Sequence, residues 1–125
     1  MERLKEQAPY ERLVVYQKSY QAALETHKIS LGFPKIEQYE LGSQLRRSSK
    51  SIVVNLVEGM GRQNSPKEVS RYLQIAMGSC DESRIWLNFA KDLGYLNEAQ
   101  HQHHSNKFIE IGKMLRGLIS TWQAK

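Results

Sequence analysis

A turn between two long helical segments restricts the fold of this chain more than any other sequence feature. Within residues 44–87, an apolar run ends at the glycine-containing residues 59–62. Ser65 is a suitable N-cap for the segment that follows, and Pro66 suits the first helical position. Glu68 is placed to reach back to the Ser65 backbone N–H and complete a capping box. These residues predict a helical hairpin against which the rest of the chain packs.

Amphipathic spacing predicts four long helices, over residues 10–31, 36–62, 66–93 and from 97 onward. Gly32 and Gly94 follow the first and third segments, where a helix C′ position favours glycine. Asn97, with Gln100 three residues later, has the spacing of a capping box. Long helices joined by short connections predict an all-α fold, an antiparallel up-and-down four-helix bundle.

Each predicted helix has an apolar stripe that we expect to face the core. Gly78 lies in mid-helix, where glycine costs about 1 kcal/mol relative to alanine, so we expect a close backbone crossing there. Ser48 and Gly59 are small enough for a neighbouring helix to approach. The four stripes are Leu13, Tyr16, Tyr20, Leu24, His27 and Leu31; Leu41, Leu45, Ser48, Ile52, Leu56 and Gly59; Val69, Tyr72, Leu73, Ala76, Cys80, Leu87 and Ala90, widened by Ile75, Trp86, Phe89 and Leu93; and Phe108, Ile111, Leu115, Leu118, Ile119 and Trp122.

The second predicted helix has a further apolar strip beside its core stripe. Val53, Val57 and Met60 form this strip, and Val54 lies farther round the helix. Together they make the helix apolar over more than the roughly 100° that one packing face requires. We expect these residues to form an oligomer interface. The alternative is a central helix that its own chain covers.

Length and composition indicate one soluble domain over residues 1–125, with residues 1–9 as a flexible leader. The 125 residues contain no apolar run near the ~20 needed to span a bilayer. The charged start lacks the apolar region of a secretory signal. The single Cys80 cannot form an intrachain disulfide. These features favour the cytoplasm and exclude a membrane protein.

The excess of positive charge is concentrated on the hairpin. Net charge is +5 with a pI near 9.4, and residues 46–71 contain six basic and two acidic residues. Arginine and lysine on a helix arc can neutralise phosphates and so bind nucleic acid without reading sequence. An ordinary solvated basic face is the alternative. The expected nucleic-acid-binding residues are Arg46, Arg47, Lys50, Arg62, Lys67 and Arg71.

The sequence contains no recognisable catalytic constellation. Cys80 lies on an apolar stripe, which indicates a small buried side chain rather than a nucleophile. His101, His103 and His104 lie near a helix start without an HExxH pattern. We expect a solvated face there, no metal, no cofactor and no enzyme activity. A metal shared by His101 and His104, three residues apart, is the alternative.

Three short motifs in this order resemble a known family. They occupy residues 44–47 (QLRR), 55–59 (NLVEG) and 78–82 (GSCDE). The chain is similar to four-helix-bundle proteins encoded in intervening sequences of bacterial large-subunit ribosomal RNA genes. It also resembles the related accessory proteins of diversity-generating retroelements. The similarity runs from about residue 33 to 95 and more loosely beyond.

The resemblance implies a ring-like homopentamer that binds RNA or DNA and associates with a reverse transcriptase. It carries over Arg46, Arg47, Arg62 and Arg71, whereas Lys50 and Lys67 come from the helix-arc argument. The chain departs from the family pattern at Ser48 and Ser49, where alanine-like residues are usual. The leading hypothesis is a nucleic-acid-binding accessory protein, and the alternative is a protein–protein scaffold that meets an acidic partner. Asn55, Glu58 and Gly59 also match the pattern, and we interpret them as structural.

Overall fold

A computed structural model describes residues 9–125, and those residues contain four α-helices and no strand. The helices are α1 (Val14–Ser30), α2 (Leu41–Met60), α3 (Pro66–Asp92) and α4 (Glu98–Gln123), with 3-10 turns at Pro9–Arg12 and Lys35–Glu37. The predicted leader over residues 1–9 lies, apart from Pro9, outside the described residues.

The four helices form an antiparallel bundle in which each helix packs beside its neighbours in the chain. The α2–α3 contact is the most extensive, and the closing α1–α4 contact is the least. Hydrogen bonds between Ser48 and Ser83, 2.8 Å, and between Ser51 and Ser79, 2.9 Å, fix the antiparallel register of α2 and α3. The all-α bundle predicted from the sequence is therefore confirmed.

Most predicted helix ends are close to the observed ones. Asn97 and Gln100 form the predicted capping box, and Gly94 has a φ of +83°. The Ser65 hydroxyl accepts from the Glu68 N–H at 3.4 Å, but the Glu68 carboxylate pairs with Arg71, so the predicted return bond is wrong.

Two helices start later than predicted. Leu13 has an extended backbone (φ −68°, ψ 130°), so α1 begins at Val14 rather than at residue 10. A 3-10 turn occupies Lys35–Glu37, and α2 begins at Leu41 rather than at residue 36. The Gln38 amide donates to the Phe33 carbonyl at 2.8 Å and so fixes the connection as a compact turn.

The core stripe of α2 is confirmed, and so is most of the α3 stripe. A Cβ added at Gly59 would lie 3.2 Å from the Tyr72 Cβ, which is the close approach predicted there. Gly78 has nothing within 4 Å of an added Cβ, so the predicted backbone crossing at that glycine is wrong. Ile75, Phe89 and Leu93 are exposed rather than widening the α3 stripe. The buried residues of these two stripes are Leu41, Leu45, Ser48, Ile52, Leu56, Gly59, Val69, Leu73, Ala76, Cys80, Leu87 and Ala90.

The predicted face of α1 is wrong over most of its length. Tyr20, Leu24 and Leu31 are 37%, 41% and 59% exposed. The Thr26 hydroxyl donates to the Ala22 carbonyl at 2.8 Å, which satisfies a polar group at a buried position. Beyond Tyr16 the buried face of α1 consists of alanine, serine and threonine side chains, while Tyr20 and Leu24 remain outside. The buried residues of α1 are Val15, Tyr16, Ser19, Ala22, Ala23, Thr26 and Ser30.

Candidate nucleic-acid interface

The six basic residues predicted to bind nucleic acid lie in two separate groups. Arg46, Arg47 and Lys50 lie in the first half of α2, whereas Arg62, Lys67 and Arg71 surround the α2–α3 turn. At 1.5 Å per residue, the two groups are about 20 Å apart along α2. They do not form one continuous patch on a single copy of the chain.

Arg46 links the end of α1 to the α1–α2 connection. Its guanidinium donates to the Ser30 hydroxyl at 2.8 Å and to the Gln38 carbonyl. A Cβ at Gly42 would lie 2.9 Å from the Arg46 guanidinium, so glycine makes room for this contact. The side chain is half-buried and its donors are engaged within the chain. Arg46 thus has a structural role whether or not it also meets a phosphate.

Lys50 and Arg47 have different surroundings. The Lys50 Nζ lies 2.8 Å from His27 Nδ1. Burial lowers the pKa of both groups, and the neighbouring Arg46 charge lowers both further. His27 therefore binds a proton less readily than a free histidine and lies half-buried at the edge of the core. Arg47 is exposed and forms no ion pair with any of residues 9–125. It lies beside a polar groove that Gln44 helps to line.

Tyr72 organises the basic group at the turn. The Arg62 and Arg71 guanidinium carbons lie 4.8 and 4.5 Å from the Tyr72 ring centroid. Arg62 also donates to the Tyr72 hydroxyl at 3.1 Å, and this bond lowers the pKa of Tyr72. Tyr72, predicted on the core stripe, is instead half-buried between the two cations. In the sequence, the adjacency of Arg71 and Tyr72 is the feature that indicates this cation–aromatic contact.

Carboxylates partly neutralise the same two arginines. Glu58 pairs with Arg62 at 3.4 Å, as the four-residue spacing predicts. Glu68 pairs with Arg71 at 2.9 Å. All four side chains are 40–53% exposed, so water and salt screen these pairs and they contribute little to stability. A phosphate could therefore replace either carboxylate at little cost.

A groove beside this turn brings together cations and an aromatic ring that lie far apart in the sequence. It lies between the start of α3 and the end of α4, with a volume of about 670 Å³. Lys67 and Arg71 line one side, and Trp122 and Lys125 line the other. The Lys125 Nζ lies 5.2 Å from the Trp122 ring centroid. The missed signal is the spacing of Trp122, at the end of α4, and Lys125, three residues later in the sequence.

The predicted interface residues are mostly covered by their own chain. Val53, Val57 and Met60 are half-buried and pack against the core, while Val54 is 57% exposed. An apolar groove of about 410 Å³ runs between α1 and α2 beside Val54. Tyr20 and Leu24, expected in the core, line it instead. The exposed apolar surface thus extends onto α1.

Cys80 is the small buried residue that the sequence predicts. It is 1% exposed, and its thiol donates to the Phe108 carbonyl at 3.0 Å. Burial raises the pKa of Cys80 to about 12, which disfavours the thiolate needed of a nucleophile.

The three histidines of α4 do not share one environment. His101 Nε2 lies 2.7 Å from Asn88 Oδ1, and His101 is not part of the group of three potential ligands that contains His103 and His104. His103 and His104 instead lie beside Glu25 of α1. His103 is exposed to solvent, whereas His104 is buried. The expectation of one solvated histidine face is therefore wrong at His104.

Comparison with known proteins places this fold in a family. Residues 11–117 match the family described as 23S rRNA-intervening sequence protein. The chain belongs to the 23S rRNA-intervening sequence protein family. No curated protein matches the chain. No helix within residues 9–125 is both long and apolar enough to cross a membrane.

A solved member of a similarly named group has the same fold. The crystal structure of a protein of unknown function from the S23 ribosomal protein family of Bacteroides thetaiotaomicron matches with a TM-score of 0.79 and 26% sequence identity. The match covers 86% of this chain and 96% of the other. The structural likeness therefore extends through most of the bundle of this 23S rRNA-intervening sequence protein. The family match confirms the resemblance to intervening-sequence proteins that residues 44–47, 55–59 and 78–82 predict.

Proposed function

We propose that this chain is a non-enzymatic, oligomeric accessory protein of the cytoplasm that binds single-stranded RNA or DNA. We further propose that it assists the reverse transcriptase of a diversity-generating retroelement. The groove at the α3 start and α4 end carries the proposal, because it combines Lys67, Arg71 and Lys125 with the ring of Trp122. The retroelement partner comes from the family resemblance alone.

The groove has the two chemical elements of a single-strand site. Lys67 and Lys125 can neutralise phosphates and release counterions. Trp122 offers a ring on which a base can stack, a contact that typically contributes about 1–3 kcal/mol per base. Arg71 and Arg62, held against Tyr72, can exchange their exposed carboxylate partners for phosphate.

Self-association would increase the affinity of such a small site. We propose a ring-like homopentamer in which Val54 and the strip of Val53, Val57 and Met60 meet another copy. The exposed side chains of Tyr20 and Leu24 extend this surface onto α1. Each copy presents one groove, so an assembly increases avidity without any new contact within a copy.

Fluorescence anisotropy with a single-stranded RNA between about 50 and 300 mM salt tests nucleic-acid binding. A log–log slope of about −0.7 is expected for each phosphate neutralised. Lys67→Gln and Lys125→Gln should each reduce the slope, whereas Trp122→Ala should lower affinity with the slope unchanged. Lys113→Gln, an exposed lysine elsewhere on α4, is the matched control. Undetectable or salt-independent binding would refute the proposal.

The other basic group requires its own variant. The Arg46 side chain makes a structural contact within the chain. A loss of binding after reversal of its charge would therefore not be distinguishable from unfolding. Arg47→Glu changes an exposed side chain and tests whether the first half of α2 also meets nucleic acid. A loss of affinity comparable to that of Lys67→Gln would assign both groups to one extended surface. No loss would limit the site to the groove at the turn.

A protein–protein scaffold is the second candidate, and the α1–α2 connection favours it. Ile36 and Tyr39 are 78% and 89% exposed, an unusual position for large apolar side chains. We propose this connection as the contact for a protein partner, either the reverse transcriptase or another protein. A partner captured after nuclease treatment by the native chain, but not by an Ile36→Ser/Tyr39→Ser variant, would support the scaffold. Capture that nuclease abolishes would favour nucleic acid as the link.

A further inference from the structure

Three potential metal ligands meet across the α1–α4 contact. Glu25 of α1 lies beside His103 and His104 of α4, and one ligand atom from each lies within 4.8 Å of the other two. The Glu25 carboxylate lies 3.3 Å from His103 Nε2. The planes of the two imidazole rings are nearly perpendicular, with centroids 5.0 Å apart.

His104 provides an independent indication of a missing ligand. The residue is only 7% exposed, and its Nδ1 is buried without a hydrogen-bond partner among residues 9–125. Buried polar side-chain atoms nearly always have such a partner. No hydrogen bond to a described residue fixes the ring orientation or tautomer, so the imidazole can present a lone pair to an ion.

We propose that Glu25, His103 and His104 form a binding site for a divalent cation of the Zn²⁺ type. Two imidazoles and one carboxylate suit Zn²⁺, which accepts three protein ligands with water in the fourth position. Zinc–ligand bonds of about 2.0–2.1 Å place tetrahedral ligands roughly 3.3 Å apart. Glu25 and His103 already have this separation, at 3.3 Å, and the ligand atoms farther apart, up to 4.8 Å, must approach by no more than about 1.5 Å. The side chains of His103 and Glu25 are 57% and 27% exposed, which leaves room for that movement and for water.

The site would join the two helices that share the least extensive contact in the bundle. Glu25 contributes from α1 and both histidines from α4, so a bound ion links the first and last helices directly. Lys107 opposes binding, because its Nζ lies 3.2 Å from the Glu25 carboxylate and adds a positive charge beside the site. The ion must therefore displace or tolerate this ammonium group.

Titration of the untagged full chain with ZnCl₂, after removal of metals with a chelator, tests the site. Isothermal titration calorimetry should give one Zn²⁺ per chain. Glu25→Gln and His103→Gln, both on accessible side chains, should each weaken binding by at least about tenfold. His101→Gln is the matched control, because that residue lies on the same helix outside the cluster.

A variant expected to tighten binding provides the converse test of the proposed Zn²⁺ site. Lys107→Gln removes the competing charge and should tighten Zn²⁺ binding, whereas weaker binding would overturn the role of Glu25. The melting temperature of the native chain should rise with free Zn²⁺, because the ion binds the folded state. That rise should vanish in Glu25→Gln and persist in His101→Gln. Absence of stoichiometric binding by the native chain, or loss on His101→Gln alone, would refute the site.

Discussion

Helices α1 and α2 lie side by side, yet they distribute their large apolar residues in opposite ways. In α2, Leu45, Ile52 and Leu56 are fully buried. In α1, Tyr20 and Leu24 remain exposed, while alanine, serine and threonine occupy the core face. Val15 and Tyr16 near the start of α1 are buried, but Tyr20 and Leu24 farther along it are not, whereas α2 buries its core stripe in its own chain. An apolar stripe therefore indicates a packing surface, but it does not specify whether that surface packs within its own chain or against another molecule.

Truncating one leucine on each helix tests this contrast directly. Leu56→Ala removes a fully buried side chain and should destabilise the chain by about 2–5 kcal/mol. Leu24→Ala changes a side chain that is 41% exposed and should alter monomer stability by no more than about 0.5 kcal/mol. Urea unfolding at low protein concentration measures both values. Equal losses would mean that the exposed face of α1 is part of the monomer core.

Introducing charge on the exposed apolar face of α1 and α2 tests whether another copy of the chain covers that face. A Leu24→Glu/Val54→Glu variant would place two carboxylates on the proposed interface, and we expect self-association to weaken by about 100-fold, or ~3 kcal/mol. Circular dichroism should show the helices intact, because both positions are exposed in one copy. Light scattering gives the mass, with Gln21→Glu on the solvent side of α1 as control. If the native chain is already a monomer in solution, the proposed interface and the proposed pentameric ring are both refuted.

Two glycines distinguish close packing from empty space. An added methyl group at Gly59 would lie 3.2 Å from the Tyr72 Cβ and 3.4 Å from the Val69 carbonyl oxygen. Gly59→Ala should therefore destabilise the chain by about 1 kcal/mol, as overpacking outweighs the gain in helix propensity. Gly78→Ala meets no atom within 4 Å and should stabilise it by up to about 1 kcal/mol. Thermal unfolding measures both, and the same sign for both would contradict the packing at Gly59.

The fold was predictable because its main signals are local. The Ser65 cap, the Asn97 capping box and Gly94 mark helix ends within a few residues of chain. Most of the buried face of α1 was not predictable, since Ser19, Ala22 and Thr26 carry little hydrophobic signal although they are buried.

The candidate sites depend on contacts between distant segments. Lys67 and Trp122 meet only when the start of α3 lies beside the end of α4. Glu25 likewise meets His103 only across the α1–α4 contact. Periodicity within one helix says nothing about such pairs, so the sequence predicted the basic character of the hairpin but not the groove.

The smallest expected effect concerns the junction of α1 with α2. Burial, Lys50 and Arg46 lower the pKa of His27, so the folded chain binds a proton there less readily than the unfolded chain does. Stability from this group is complete above its ordinary pKa of about 6.5 and is lost as pH falls through the lower folded value. Urea unfolding at about pH 7.5 and 5.5 should show a smaller acid-induced loss in His27→Gln than in the native chain. Because His27 lines the apolar groove with Tyr20 and Val54, its protonation beside Lys50 should also weaken self-association. A loss of stability at low pH that is identical in both chains would mean that His27 does not couple the two helices to pH.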